Sequence, residues 1–195
     1  MTKSICPILL SLIALSLSGF SSASISQPRY EPPLVKSNHQ CAQSVAQQKR
    51  HIRAVYADTN RNLPVYKVTS YDVYQSTEGG EVSLYFNHAQ LKKIKEVHFG
   101  ETGKVIFEYY FDDQGLVFIF EQIHHYNAPI TQFEADDDIP AFDPNESRIE
   151  ENRYYFCQGK MIEWLDDNKR PVAPNIKRYI DKQNELLNSD VLPKM

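Results

Sequence analysis

The residues of this chain with the most obvious chemistry are six histidines and a run of carboxylates. The histidines are His39, His51, His88, His98, His124 and His125, and only His124-His125 are neighbours. On a strand, neighbours point to opposite faces, so the pair can hold one metal only if the strand bends there. No His-x-x-x-His or His-Glu-x-x-His spacing occurs, so no metal or other cofactor is expected. What the types do allow is a hydrolase in which His124 or His125 works with carboxylates of the 134–146 loop. That loop carries Asp136, Asp137 and Asp138, with Asp143 and Glu146 beyond them. Clustered carboxylates suit Ca²⁺, but no window has the alternating ligands, sixth-position glycine and closing glutamate of an EF-hand. A solvated acidic loop accounts for them more simply. Asp112-Asp113 and Asp166-Asp167 fall where turns are expected, and Asn145-Glu146-Ser147 has the form of a glycosylation sequon.

Nucleophilic and phosphate chemistry find no foothold. There is no Gly-x-Ser-x-Gly elbow and no phosphate-cradling loop, and the seven glycines include turn pairs at Gly79-Gly80 and Gly100/Gly103. No catalytic constellation is assembled, so a binding role is expected over an enzymatic one.

The chain begins with the pattern of a secretory leader, residues 1–23. Lys3 is followed by an apolar run from Ile5 to Phe20 and then Ser21-Ser22-Ala23. The run is short and serine-rich for a membrane span, and no cysteine follows it to carry a lipid. Without the leader, 20 basic side chains (21 less Lys3) face 25 acidic ones, a net of −5. No basic patch interleaves with aromatics, which argues against nucleic acid as a partner. Cys6 leaves with the leader, so Cys41 and Cys157 remain, and in an oxidising compartment one disulfide is their simplest use. A soluble periplasmic or extracellular protein with no membrane span after cleavage is expected.

The elements that must position any site centre on residues 97–123, which alternate in the period of strands joined by two tight turns. Counting outward from Phe111 opposite Leu116 places Tyr109 opposite Phe118 and Phe107 opposite Phe120. A three-residue loop with Gly103 in the left-handed region then sets Phe99 opposite Val105 and Val97 opposite Phe107. All these residues would share one face.

Ser26 to Lys36 reads as part of an extended lead-in over residues 24–36. Ser37 reads as a helix cap with Gln40 as its partner, and Cys41, Val45, Ile52, Val55 and Tyr56 as one helical face running to about Asp58. Strands follow at Val65–Gln75, Val82–Phe86 and Leu91–Phe99, the last putting Lys93 and Lys95 on the buried face unless a bulge reorients it. Residues 127–149 form a long acidic, proline-bearing connection. Strand pattern resumes at Arg153–Phe156 and Met161–Trp164. Ile176, Tyr179, Ile180, Gln183 and Leu187 make a second amphipathic helix, and residues 189–195 a tail.

One hairpin unit recurs: Tyr85-Phe86-(four)-Leu91-(two)-Ile94, Tyr110-Phe111-(four)-Leu116-(two)-Ile119, and Tyr155-Phe156-(four)-Met161-(two)-Trp164. The middle unit resembles the tyrosine-aspartate repeats of large secreted shell and toxin proteins. It departs from them in its unequal spacing of 25 and then 45 residues, its three copies and the lack of an Arg after the Gly. No function is carried over.

The expected architecture is α+β over residues 37–188: a curved antiparallel meander of six to seven strands, with an N-terminal and a C-terminal helix covering one face. The expected function is a non-catalytic binding or interaction module for a protein, peptide or small apolar ligand. Lys93, Lys95, Tyr110 and Ile119 are the candidate surface, and a structural envelope component is the third possibility.

Overall fold

The computed structural model describes Cys41, residues 44–136 and residues 138–193. The leader, the lead-in, the Ser37 cap and Asp137 lie outside the described residues. Seven strands form one antiparallel sheet in sequence order. They are β1 (Lys67–Val73), β2 (Gly80–Asn87), β3 (Gln90–Gly100), β4 (Gly103–Asp112), β5 (Gly115–His125), β6 (Arg148–Cys157) and β7 (Lys160–Leu165). Helix α1 (Val45–Asn62) precedes the sheet and α2 (Lys177–Leu187) follows it. This is the α+β meander expected from the sequence.

Helix α1 starts later than expected. Ser44, in extended conformation, caps it by accepting from the Gln47 amide at 3.2 Å. Cys41 therefore precedes the helix instead of lying in its first turns. The Leu63–Val65 3₁₀ turn shortens β1, and β6 begins at Arg148, five residues before the pattern suggested.

The pairing of the strands differs from simple counting, for one repeated reason. Phe111 does face Leu116, but Tyr110 faces Phe118 and Tyr109 faces Ile119. Val117 is an extra residue, a β-bulge that turns the rest of β5 over. Phe118 and Phe120 thus leave the Tyr109 face, and Ile119 joins it. The same shift occurs between Tyr85 and Phe86 and between Tyr155 and Phe156, one bulge for each copy of the repeated hairpin unit. A bulge puts residues three apart on one face. The spacing Leu91/Ile94, Leu116/Ile119 and Met161/Trp164 is therefore its sequence mark, and five of the six lie in one core cluster with Leu116 packed against it.

The β3–β4 turn also differs. Gly100 pairs with Gly103 across the two-residue turn Glu101-Thr102, Phe99 faces Lys104, and Val97 faces Ile106. Gly103 does not take a positive φ. It is needed for space, since a Cβ there would sit 2.3 Å from the His124 carbonyl oxygen.

Because of the bulges both sheet faces are apolar. One carries Leu84, Ile94, Tyr109, Ile119, Tyr154 and Trp164 in a single row across β2 to β7. It packs against Tyr179 and Leu186 of α2 and the following Val191 and Leu192. The other carries Tyr110, Val117, Phe118 and Tyr155, packed against Ile52 and Val55 of α1. The helices thus cover opposite faces and do not share one, as each face needs its own cover.

A disulfide joins Cys41 to Cys157, with Cα atoms 5.9 Å apart and 116 residues of separation. It ties the approach to α1 to the β6–β7 hairpin. In the chain-entropy account such a loop is worth about 4–5 kcal/mol. Replacing both cysteines by serine should lower unfolding stability by about 2–5 kcal/mol. Urea titration of the oxidised protein and the double variant checks this, and equal midpoints would show that the bridge does not constrain the unfolded chain.

Candidate functional site

Three polar clusters and two cavities could carry function. The first cluster lies beneath α1, where β3 and β4 bring Lys93, Glu108 and Tyr110 together. Lys93 is 3 % exposed. Its ammonium donates to Glu108 Oε1 at 2.7 Å and to Asn60 Oδ1 at 3.2 Å, and lies 4.9 Å from the centre of the Tyr110 ring. The Tyr110 hydroxyl donates to Glu108 Oε2 at 2.6 Å and accepts from Asn60 Nδ2 at 3.1 Å. Burial lowers the Lys93 pKa, against the pull of Glu108, and burial raises that of Tyr110. Each member has its partners, so the cluster anchors α1 to the sheet.

The four residues expected to form a binding surface do not lie together. Lys93 and Tyr110 are sealed under α1, and Lys95 is a half-buried neighbour on the same face. Ile119 is fully buried on the opposite face. The bulge at Val117 separates Ile119 from the others.

The second cluster is the acidic loop. Asp136 Oδ1 accepts from the amides of Asp138 and Ile139 at 3.0 and 2.7 Å, and Asp143 Oδ1 accepts from the Asn145 amide at 2.8 Å. Glu146 accepts from Asn127 Nδ2 at 3.2 Å. These carboxylates fold their own loop. Among the described residues no three His, Cys, Asp or Glu side chains gather as metal ligands.

Neither histidine of the proposed hydrolase reading has a carboxylate of the loop among its described partners. His125 Nε2 lies 3.3 Å from Glu150 Oε1 on β6, an oxygen that also holds Arg148 at 2.5 Å. His124 Nε2 is buried without a hydrogen-bond partner, and burial, then Lys104, lowers its pKa.

The third cluster was not foreseen. Across β2 to β6 one row reads Val82, Glu96, Phe107, Glu121, Asn152, with two carboxylates and an amide on the core side. Glu121 is 3 % exposed. Its Oε2 accepts from the Tyr154 hydroxyl at 2.6 Å and from Asn152 Nδ2 at 2.9 Å, and Asn152 Oδ1 accepts from the Trp164 indole at 3.0 Å. Its Oε1 has Lys182 of α2 at 3.5 Å. Glu96 accepts from Tyr109 at 2.8 Å and sits 2.8 Å from His98 Nε2. The legible signal was polar residues at positions of core parity, hidden by the wrong register.

Above Glu121 an open cleft of about 560 Å³ runs between α2 and the β5–β7 face. Glu121, Asn152, Tyr154 and Trp164 line it from the sheet, and Arg178 of α2 lies over the Trp164 ring at 4.4 Å. A smaller cavity of about 200 Å³ lies on the other face, beside α1.

Comparison with family models, with curated proteins and with solved structures finds no match to this chain. No helix among the described residues is long and apolar enough to cross a membrane.

The buried phenols give a pH signature. Burial is the first cause that holds Tyr109, Tyr110 and Tyr154 above the usual 10.0. Unfolded, they ionise near pH 10, so above that pH the folded state binds more protons and stability falls. Each phenol that ionises only on unfolding contributes about 1.4 kcal/mol per pH unit. Lys93, held low, pulls the other way as a single group. Urea midpoints should therefore drop steeply from about pH 10 to 11, with tyrosinate absorbance rising together with unfolding. Titration of these tyrosines in a protein that stays folded and equally stable would contradict the buried network.

Proposed function

We propose that this chain is an exported, non-catalytic binding module whose ligand seats in the cleft between α2 and the β5–β7 face. The observation that carries this reading is the Glu121 carboxylate, buried at the floor of an open cleft of about 560 Å³. That volume lies in the usual range of roughly 300–1,000 Å³ for small-molecule sites. Export rests on the N-terminal leader pattern and on the disulfide.

The floor presents acceptors. Among the described residues Glu121 Oε1 has only the Lys182 ammonium, at 3.5 Å, so a ligand donor can bind there in a charge-assisted bond. The rim is zwitterionic, with Lys177 paired to Asp181 and Lys182 to Glu185 at 2.5 and 2.7 Å. Those pairs can reopen for a ligand's own charges at small cost, because exposed pairs are worth about 0–1 kcal/mol. The ligand class that fits is a small, donor-rich molecule bearing hydroxyls or an amine, such as an amino sugar or a peptide amino terminus.

Calorimetric titration with glucosamine, N-acetylglucosamine and short peptides tests this. Binding should weaken roughly tenfold or more in Glu121→Gln, the loss expected of a charged hydrogen bond, and less in Asp181→Asn at the exposed rim. Failure of the whole panel to bind, or binding untouched by both substitutions, would overturn the reading.

A further inference from the structure

The cavity on the opposite face has a different chemistry. It holds about 200 Å³ between α1 and strands β5 and β6. Its walls are Tyr56 from α1 and Phe118, Phe120 and Tyr155 from the sheet. The rings make a continuous apolar lining, with Tyr56 to Phe118 centroids 5.9 Å apart and Phe118 to Tyr155 5.0 Å. Ile52 closes the helix side.

Two guanidinium groups stand on this apolar pocket. Arg153 lies over the Phe120 ring at 5.0 Å, and its NH2 group donates to Glu151 Oε2 at 2.5 Å. Its NH1 group is buried and has no hydrogen-bond partner among the described residues. A buried guanidinium donor without an acceptor is rare, because its desolvation is then uncompensated. Arg53, one of the pocket's residues, is exposed on α1. Lys49, 5.0 Å from the Tyr155 ring centre, is already paired with Glu163. The nearby acids are already engaged, Glu108 by Lys93 and Tyr110, and Glu151 by Arg153 and Gln122. Arg53 and the Arg153 NH1 group are thus the donors that stand beside the aromatic wall.

We propose that this pocket binds a small amphiphilic carboxylate, its apolar body among Tyr56, Phe118, Phe120 and Tyr155 and its charge on Arg153 and Arg53. A planar carboxylate supplies the acceptor that the unpartnered NH1 lacks, in the geometry guanidinium groups favour. The volume is below the roughly 300 Å³ at which drug-sized ligands begin to fit, which restricts the body to one ring or a short chain. Aromatic and short aliphatic acids share this chemistry. The site is separate from the Glu121 cleft, which lies across the sheet.

The test uses phenylacetate and hexanoate as probes, with benzyl alcohol and benzylamine as neutral and cationic controls, in calorimetry and amide-resonance titrations of the mature oxidised protein. Expected is saturable binding of at least one acid, with shifts centred on Phe118, Phe120 and Tyr155, and binding of both controls weaker by roughly tenfold or more. Whichever acid binds better identifies the body as ring or chain. Arg153→Lys should weaken the acid roughly tenfold through loss of the bidentate fork. Arg53→Gln, at an exposed helix position where folding is undisturbed, should weaken it several-fold. Benzyl alcohol binding as well as phenylacetate would reduce the site to an apolar cavity and overturn the proposal. So would the absence of binding by both acids, or acid binding indifferent to Arg53→Gln.

Discussion

A sheet that carries large apolar side chains on both faces has to be covered twice, and the rest of this structure follows from that constraint. Three bulges create it. Each one inserts a residue after the apolar residue that opens a hairpin's second strand, so the apolar set of that strand is divided between faces. Tyr109, Ile119, Tyr154 and Trp164 go to α2, and Tyr110, Phe118 and Tyr155 go to α1. With both faces committed, each helix meets an aromatic floor. Polar groups that enter these layers must be satisfied there, because burial without a partner costs about 1–3 kcal/mol. Lys93 with Glu108, Glu121 with Tyr154 and Asn152, and Glu96 with Tyr109 are such solutions.

The strands, their order and the disulfide were legible because they rest on local signals: period-2 alternation, turn residues and a count of two cysteines beyond the leader pattern. The faces were not, because they depend on register, and register accumulates every local error. One extra residue at Val117 moved Ile119 from the expected open surface to the centre of the core. Apolar residues three apart on a strand, as in Leu116 and Ile119, contradict a straight period of two and fit a bulge. The repeat carries that spacing three times.

The candidate site was harder to see for the same reason. Glu121 sits between Phe120 and Gln122, in a stretch where a straight register turns it outward as an ordinary solvated acid. Only the shifted register turns it inward, beside Tyr154 and beneath Lys182. The acidic loop is a converse case. Asp136 and Asp143 attracted a ligand reading by their number, yet they cap their own turns, the usual employment of aspartate in irregular backbone.

The two cavities differ as the two helix contacts differ. Helix α2 meets the sheet through a polar seam at one end, where Lys182 reaches Glu121 and Arg178 covers Trp164, and through Tyr179 and Leu186 at the core. That seam sets charged and polar groups beside Tyr154 and Trp164 of the core. Helix α1 is held differently. The disulfide fixes the chain before it, His51 meets Asp112 at 2.8 Å, and Asn60 joins the Lys93 network. These anchors lie at several points along its length, which leaves α1 little freedom to settle onto the aromatic rows. The gap beside Tyr56 therefore persists as a cavity where a free helix would collapse to fill it. The cavity beside α1 is aromatic because α1 meets the sheet through rings, and the cleft beside α2 is polar because its seam is charged.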